Sequence, residues 1–156
     1  MSLQRFCKRP TVTIAPEQPI REACQLLEER NVGCLVVEEH GQLCGILTDR
    51  DIALRVVGQG KDPHLTHVGA VMTLNPVRIA VDSTVHELTM LMHSQQVRRV
   101  PIIDASGRAI GIVTLDDLLV LLGDEMSDLG KTVAEAFFRK PADVEAGDYH
   151  WWATHS

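Results

Sequence analysis

The feature that most constrains this chain of 156 residues is an internal repeat. Residues 45–52 read GILTDRDI and residues 111–118 read GIVTLDDL, so both follow the pattern G-I-aliphatic-T-x-x-D-aliphatic. A further glycine stands four residues before each segment, at Gly41 and Gly107. Because order, spacing and punctuation all recur, the sequence predicts two related structural units.

The apolar spacing upstream of the motif predicts the same elements in each copy. Four apolar positions per copy share one helical face: Ile20, Ala23, Leu26 and Leu27, then Val85, Leu88, Leu91 and Met92. With short apolar runs as strands, each copy is interpreted as strand, helix, strand, turn, strand, helix. The second helix of the first copy is expected to start at Asp49 and to end at Gly58 and Gly60. In the second copy, helices are expected over 84–95 and 115–122, with a further helix over 127–138.

These elements define an α+β (mixed α/β) fold of two β-α-β-β-α repeats. One repeat of about 55 residues would bury too little apolar surface to be stable alone. Two repeats can pack sheet to sheet around a pseudo-twofold axis, which leaves two related clefts between them. We expect the first repeat at 8–58, a polar linker at 59–70, the second repeat at 71–124, and a C-terminal helix and tail at 125–156.

The composition narrows the classes of function. A formal net charge of −6 argues against binding nucleic acid through a broad basic face, because phosphate contacts need clustered Lys and Arg. No run approaches ~18 apolar residues and no signal peptide is evident, so we expect no membrane span and a cytoplasmic protein. The four cysteines lie in apolar stretches without a C-x-x-C pair and are interpreted as buried free thiols in a reducing compartment.

Neither catalysis nor metal binding is expected from the sequence. We find no nucleophile–base pair and no phosphate-binding G-x-x-x-x-G-K-S/T loop, so the chain is not expected to be an enzyme. His64 and His67 in the linker have the spacing of metal ligands, but they lack a third ligand nearby in sequence.

The repeated motif and its surroundings resemble the CBS domain, named after cystathionine beta-synthase, and the tandem pair resembles a Bateman module of the free-standing bacterial type. The resemblance also rests on residues 48–51 (TDRD), residues 71–73 (VMT), and residues 100–104 (VPIID) followed by Gly107. It covers roughly residues 8–124. It implies a regulatory module that binds AMP, ADP, ATP, S-adenosylmethionine or a related adenosyl ligand in its clefts. Because no catalytic domain is attached, it also implies that the regulated protein is a separate chain.

Within that resemblance, the T-x-x-D motif offers partners for ribose and phosphate. Asp51 and Asp117 are expected in the first turn of a helix, where each carboxylate can accept two hydrogen bonds from a ribose diol. Thr48 and Thr114 stand at the strand-to-helix junctions, where a hydroxyl can bond a phosphate or cap the helix. Because Thr with Asp three residues later is also a variant of the capping box, plain capping is the alternative.

Arginines make the two clefts unequal. Arg98 and Arg99 lead into the second strand of the second repeat, whereas the corresponding residues of the first repeat are the uncharged Gly33 and Cys34. The resemblance implies that Arg99 contacts phosphate, so we expect both arginines to bind it; an arginine pair that only solvates a strand end is the alternative. We therefore expect one good nucleotide site and a second that is weaker or empty.

Three further residues complete the predicted ligand site. Arg50 is a phosphate candidate, and the second repeat has Asp116 at its position. The resemblance also places Ile79 and Pro101 among the ligand-binding residues. AMP or ATP is the expected ligand, with S-adenosylmethionine or an NAD-type ligand as the alternative, and no metal is expected.

The helices that follow each T-x-x-D motif predict a homodimer, because they carry more apolar residues than one buried face requires. These residues are Ile52, Leu54, Val56 and Val57 in the first repeat, and residues 118–122 in the second. A structural dimerisation or partner-binding module with vestigial clefts is therefore the alternative to a nucleotide sensor. Trp151 and Trp152 near the C-terminus could anchor a partner, and the sequence leaves their role open.

Overall fold

The computed structural model describes residues 3–7 and 11–138, and the chain divides after Leu115 into two compact units. The first repeat contains β1 (Thr13–Ile14), α1 (Ile20–Arg30), β2 (Cys34–Glu39), β3 (Gln42–Thr48) and α2 (Asp49–Arg55). After a short strand β4 (Thr73–Leu74), the second contains β5 (Ile79–Ala80), α3 (Val85–Gln95), β6 (Arg99–Ile103), β7 (Ala109–Thr114) and α4 (Leu115–Phe138). Short 3-10 turns lie at Leu3–Cys7, Val57–Gln59 and Val68–Ala70. The predicted order of elements and the mixed α/β class are confirmed.

Threonine side chains begin two of the helices. Thr48 caps α2 and Thr84 caps α3, each accepting the backbone N–H of the residue three positions later. The carboxylates of Asp51 and Glu87 accept the threonine backbone N–H in return, which completes a capping box at each helix. The hydrogen bonds from Thr84 hold the pKa of Glu87 below its usual range.

Helix α1 has no side-chain cap, and the linker takes that role. The backbone N–H of Ile20 donates to the carbonyl of Thr66 at 2.9 Å, and that of Arg21 donates to the carbonyl of Pro63 at 3.0 Å. These bonds satisfy two of the N–H groups that every helix start leaves without an intrahelical partner. The linker is therefore attached to the first repeat through its backbone.

Each repeat contributes one sheet, in the orders β1-β2-β3-β4 and β5-β6-β7. In both, the first strand pairs parallel with the second and the second antiparallel with the third. Cys34 lies beside Thr48 in one ladder, and Arg99 lies beside Thr114 in the other, at equivalent positions.

Both faces of the central strands are covered. Leu35, Val36 and Val37 are all buried, although successive residues of a strand point to opposite faces. Leu35 and Val37 share one core with apolar residues of α1 and α2, and Val36 lies outside that core. Residues 100–102 of β6 are likewise buried in succession. This burial agrees with the sheet-to-sheet packing of the two repeats.

The repeats exchange segments at the glycines that open their motifs. Strand β4 follows the linker, yet it pairs with β3 of the first repeat, where Gly45 lies opposite Leu74. A side chain at Gly45 would place its Cβ against the sulfur of Met72 and 3.1 Å from the carbonyl oxygen of Thr73. Only a residue without a Cβ lets this backbone approach so closely.

The equivalent position of the second repeat shows the same arrangement in reverse. A Cβ at Gly111 would lie 3.0 Å from the Cys7 sulfur, 3.3 Å from the Cys7 Cα and 3.3 Å from the Phe6 carbonyl oxygen. The N-terminal turn of the chain therefore lies on β7 of the second repeat, while the start of the second repeat completes the first sheet. Val68 and Val71 also join the core of the first repeat.

Two predicted helix boundaries were wrong. The helices expected over 115–122 and 127–138 are one continuous helix, α4, which passes through Gly123 and Gly130. A glycine inside a helix costs about 1 kcal/mol relative to alanine, which is too little to end it without a proline or a left-handed residue. Helix α2 ends at Arg55, and the left-handed Gly60 (φ 64°) closes the following 3-10 turn instead.

Burial of the cysteines also differs from the prediction. Cys24 is exposed, and Cys7, Cys34 and Cys44 are partly buried. Cys24 lies on α1, whose buried residues are Ile20 and Ala23. No helix among the described residues is long and apolar enough to cross a membrane. The expectation for Trp151 and Trp152 concerns residues outside the described ranges.

Replacing Gly111 by Val should destabilise the chain by about 1–3 kcal/mol, because the new side chain meets backbone atoms of Phe6 and Cys7 that cannot move aside cheaply. Thermal unfolding should show the loss, and limited proteolysis should then cut first within the N-terminal turn. Ala105→Val, at an exposed turn position, is the control and should melt like the wild type. Equal melting temperatures for all three proteins would contradict the close contact at Gly111.

Candidate functional site

The T-x-x-D motif of the first repeat lies where β3 passes into α2. The backbone N–H and the hydroxyl of Thr48 donate to Oδ2 of Asp51, at 3.0 and 2.8 Å. The N–H of Asp51 donates to the hydroxyl oxygen of Thr48 at 3.1 Å. The capping interpretation is therefore realised in this repeat, and it positions the carboxylate at the end of the sheet.

Arg55 holds the other carboxylate oxygen of Asp51. Its Nη2 lies 3.2 Å from Asp51 Oδ1, and its Nη1 donates to the carbonyl of Val71 at 2.7 Å. Arg55 thus connects the motif to the segment that leads into the second repeat. At the equivalent position, four residues after Asp117, the chain has Leu121, so the two motif carboxylates have different neighbours.

Arg99 of the second repeat reaches the first repeat. Its Nη1 donates to the carbonyl of Gly33 at 3.4 Å. A Cβ on Gly33 would lie 3.3 Å from Nη2 of Arg99 and 3.4 Å from Oδ2 of Asp49. The absence of a side chain at Gly33 therefore leaves room for a guanidinium and a carboxylate at one place.

The pKa of the Cys34 thiol depends on the charged groups near Gly33. Burial is the main cause that raises the pKa of Cys34 to about 11. The positive charge of Arg99 lowers that pKa, while the carboxylates of Asp51 and Asp49 raise it. One guanidinium and two carboxylates thus act on a single partly buried thiol. We call Gly33, Cys34, Thr48, Asp49, Asp51 and Arg99 the cross-repeat cluster.

The cross-repeat cluster contains groups whose chemistry suits a ligand with both a diol and an anionic group. Carboxylates accept hydrogen bonds from hydroxyl groups, and a guanidinium offers five N–H donors in a planar fork suited to phosphate. The carboxylates lie in the first turn of α2, directly after β3, and the guanidinium reaches from the start of β6 to Gly33, just before β2.

The other predicted residues take different positions. Arg50 is exposed on α2, and Arg98 is exposed just before β6. Ile79 is buried on β5 opposite Ile102, and Pro101 is buried on β6 opposite Ile112. Thr114 ends β7, and Asp117 lies in the first turn of α4, in the second compact unit. The structure therefore brings Thr48, Asp51 and Arg99 together and leaves Arg50 and Arg98 at the surface.

Sequence reasoning missed two residues of this region. The sequence predicts Asp49 only as the start of a helix and gives Arg55 no role. The spacing of Asp51 and Arg55, four residues apart in a helix, is a signal for such an ion pair. At the linker, Nδ1 of His67 lies 2.6 Å from the carbonyl oxygen of Glu17. Within residues 3–7 and 11–138, no three His, Cys, Asp or Glu residues come together as metal ligands.

Comparison with known proteins also finds two CBS domain repeats in this chain. The sequence model of the CBS domain matches residues 3–58 and 68–124. The CBS domain-containing protein YhcV of Bacillus subtilis is 44% identical over 108 residues, which are 69% of this chain and 76% of YhcV. By contrast, the chain spans only about a quarter of longer relatives such as CBSCBSPB3 of Arabidopsis thaliana (26%).

Solved structures agree on the fold. The CBS domain pair of protein MJ0100, in complex with 5'-methylthioadenosine and S-adenosyl-L-methionine, is 29% identical with a TM-score of 0.72, covering 80% of this chain and 98% of that one. The CBS domain protein PAE2072 of Pyrobaculum aerophilum, complexed with AMP, has a TM-score of 0.69 at 24% identity, covering 76% and 90% of the two chains.

Cys34 should react with iodoacetamide much more slowly than the exposed Cys24 at neutral pH, because the thiolate is the reacting form and its pKa is about 11. Its rate should climb as the pH approaches that value. The folded pKa lies above the unfolded one, so the protonated thiol stabilises the fold at low pH and this contribution is lost as the pH rises towards 11. Peptide mass spectrometry measures both rates, and equal labelling at neutral pH would contradict the assignment.

Proposed function

Since the chain belongs to the CBS domain family and carries two repeats of it, we propose that it is a regulatory module that binds an adenosine-containing nucleotide, AMP, ADP or ATP, in the cleft between its repeats. The observation that carries the proposal is the position of Arg99, which extends from the second repeat to the Gly33 carbonyl of the first, beside Asp49 of the motif. A cation and two carboxylates from different repeats form a site that neither repeat has alone.

The ribose binds at Asp51 in this proposal. Its side chain is 14% exposed, so a diol can reach it. Oδ1 of Asp51 faces Arg55, and a ribose hydroxyl that donates to this oxygen competes with that ion pair. Thr48 holds Oδ2 throughout, which keeps the carboxylate in place for the ligand.

The phosphate binds at Arg99. The hydrogen bond of Arg99 to the Gly33 carbonyl is long, at 3.4 Å, and engages one of five N–H donors. A phosphate can therefore take the remaining donors in a bidentate, charge-assisted contact. The exposed Arg50 and Arg98 add positive charge for a di- or triphosphate, and the apolar Ile79 and Pro101 are proposed to contact the base.

The second cleft is weaker in this proposal. The equivalence of the repeats assigns Thr114 and Asp117 to a ribose there. The residue equivalent to Arg99 is Cys34, whose thiol is protonated at neutral pH and cannot replace a guanidinium. A phosphorylated ligand therefore finds its cation in one cleft only.

The complex of MJ0100, at 29% identity, supports an adenosyl ligand in general. Neither 5'-methylthioadenosine nor S-adenosylmethionine carries a phosphate, so Arg99 is the feature that favours AMP or ATP here. S-adenosylmethionine is the second candidate, because Asp49 and Asp51 suit its sulfonium charge. In either case the module acts on a separate protein chain, without catalysis of its own, and as a homodimer.

Replacing Arg99 by Ala should weaken AMP binding by about 10- to 150-fold, since a hydrogen-bonded charge contributes ~1.5–3 kcal/mol. Adenosine, which lacks phosphate, should lose little. Calorimetric titration of AMP, adenosine and S-adenosylmethionine against both proteins measures this, with Arg30→Ala on the exposed end of α1 as the control. If S-adenosylmethionine binds best and is indifferent to Arg99, the ligand assignment is wrong.

Replacing Asp51 by Ala should also lower AMP affinity about 10-fold or more, through loss of the bonds to the ribose. The same change removes the carboxylate that completes the capping box of α2 and should cost about 1 kcal/mol of stability. Glu87→Ala is the matched control, because it removes the equivalent carboxylate from the capping box of α3 without touching the cluster. Asp117→Ala should weaken only the second, weaker site. Equal losses of melting temperature for Asp51→Ala and Glu87→Ala, with unchanged AMP affinity, would leave Asp51 only its role in the capping box.

A further inference from the structure

Helix α4 carries an apolar stripe along most of its length. The stripe consists of Leu119, Leu122, Met126, Leu129, Val133 and Ala136, all of which are exposed. Their spacing of three, four, three, four and three residues keeps them on one side of the helix. The exposed fractions of the four largest lie between 58% and 68%, so the stripe is not covered by the chain's described residues. Monomeric proteins rarely leave a continuous stripe of this kind in water.

The spacing is that of a coiled-coil seam. Alternating steps of three and four residues place Leu119, Met126 and Val133 at a positions, and Leu122, Leu129 and Ala136 at d positions. No charged residue interrupts the seam. Gly123 and Gly130 stand beside it, seven residues apart, and a Cβ at either would meet nothing within 4 Å. A second helix can therefore approach this side of α4 closely.

The distribution of charge along α4 favours pairing with a second α4 helix that runs antiparallel to it. Residues 116–128 of α4 contain five carboxylates and no basic residue, whereas the charged residues of 129–138 are only Lys131 and Glu135. A parallel pair of α4 helices would align the two acidic halves, which is unfavourable. An antiparallel pair separates them and also opposes the two helix dipoles. The stripe is symmetric about its midpoint between residues 127 and 128, so it matches its own reverse.

We infer that α4 pairs antiparallel with α4 of a second copy of this chain. In that pairing Met126 faces the partner's Leu129, Leu122 faces the partner's Val133, and Gly123 lies near the partner's Gly130. This inference is independent of the ligand proposal, and it extends the dimer contact from Leu119 and Leu122, in the turns that follow the motif, along α4 to Ala136.

Two substitutions at similarly exposed positions of α4 test whether the stripe forms the dimer contact. Leu129→Glu puts a charge into the seam and should convert a dimer, of twice the 17.3 kDa chain mass, into a monomer at micromolar concentration in light scattering. Val120 is the control, because it is 66% exposed on another side of the same helix. Val120→Glu should remain a dimer. A monomeric wild type, a dimeric Leu129→Glu, or dissociation of both variants would overturn the inference.

Cross-linking tests the direction. The background is Cys24→Ser, which removes the exposed native thiol. Leu122→Cys and Val133→Cys should each give little disulfide dimer alone, whereas an equimolar mixture should give a disulfide between them. Efficient cross-linking of each variant with itself would establish a parallel pair and overturn the antiparallel assignment. If instead the chain's own residues 139–156 cover the stripe, the wild type is a monomer and no mixture cross-links.

Discussion

The exchange of segments at Gly45 and Gly111 is the contact on which the first compact unit depends. The motif glycine of each repeat lies where the lead-in segment of the other repeat crosses it, Met72–Thr73 over one and Phe6–Cys7 over the other. Val68 and Val71 complete a core whose other members come from the first repeat. Burying apolar area is the main source of stability in so small a fold, so a half that borrows part of its core is unstable alone. The glycines are therefore a requirement of packing between halves, and no ligand role is needed to explain them.

The two repeats differ at the start of their second strands. Equivalent positions in the two ladders hold Cys34 beside Thr48 and Arg99 beside Thr114. A thiol and a guanidinium at these places give the two sides opposite properties: one is apolar and neutral, the other cationic. The Asp51 carboxylate completes the capping box of α2, and under the proposed function the same side chain would also bind the ribose. Thr48 fixes one carboxylate oxygen and leaves the other to Arg55.

Much of the fold was predictable because the repeat supplied two independent examples of each pattern. The helices beginning after Pro19 and Thr84 and the strands of both hairpins lie where periodicity placed them. The prediction failed where tertiary structure determines the element. Helix α4 continues through Gly123 and Gly130, where the sequence predicted a break. The two residues of β4 form a strand because they pair with the edge of β3. In the site, Thr48 and Asp51 follow from the motif. The reach of Arg99 to Gly33 does not, because its 66-residue sequence separation is closed only by the pairing of the repeats.

The linker has a consequence for assembly. The carbonyl groups of residues 63 and 66 accept hydrogen bonds from the first N–H groups of α1, and residues 68–72 run directly into the first core and sheet. A connection fastened at both ends keeps the second repeat beside the first at high effective concentration. Pairing between the repeats of one chain is thereby favoured over domain swapping between two chains. A longer or glycine-rich linker would lower this effective concentration and make domain swapping more favourable, even with every residue of both repeats unchanged.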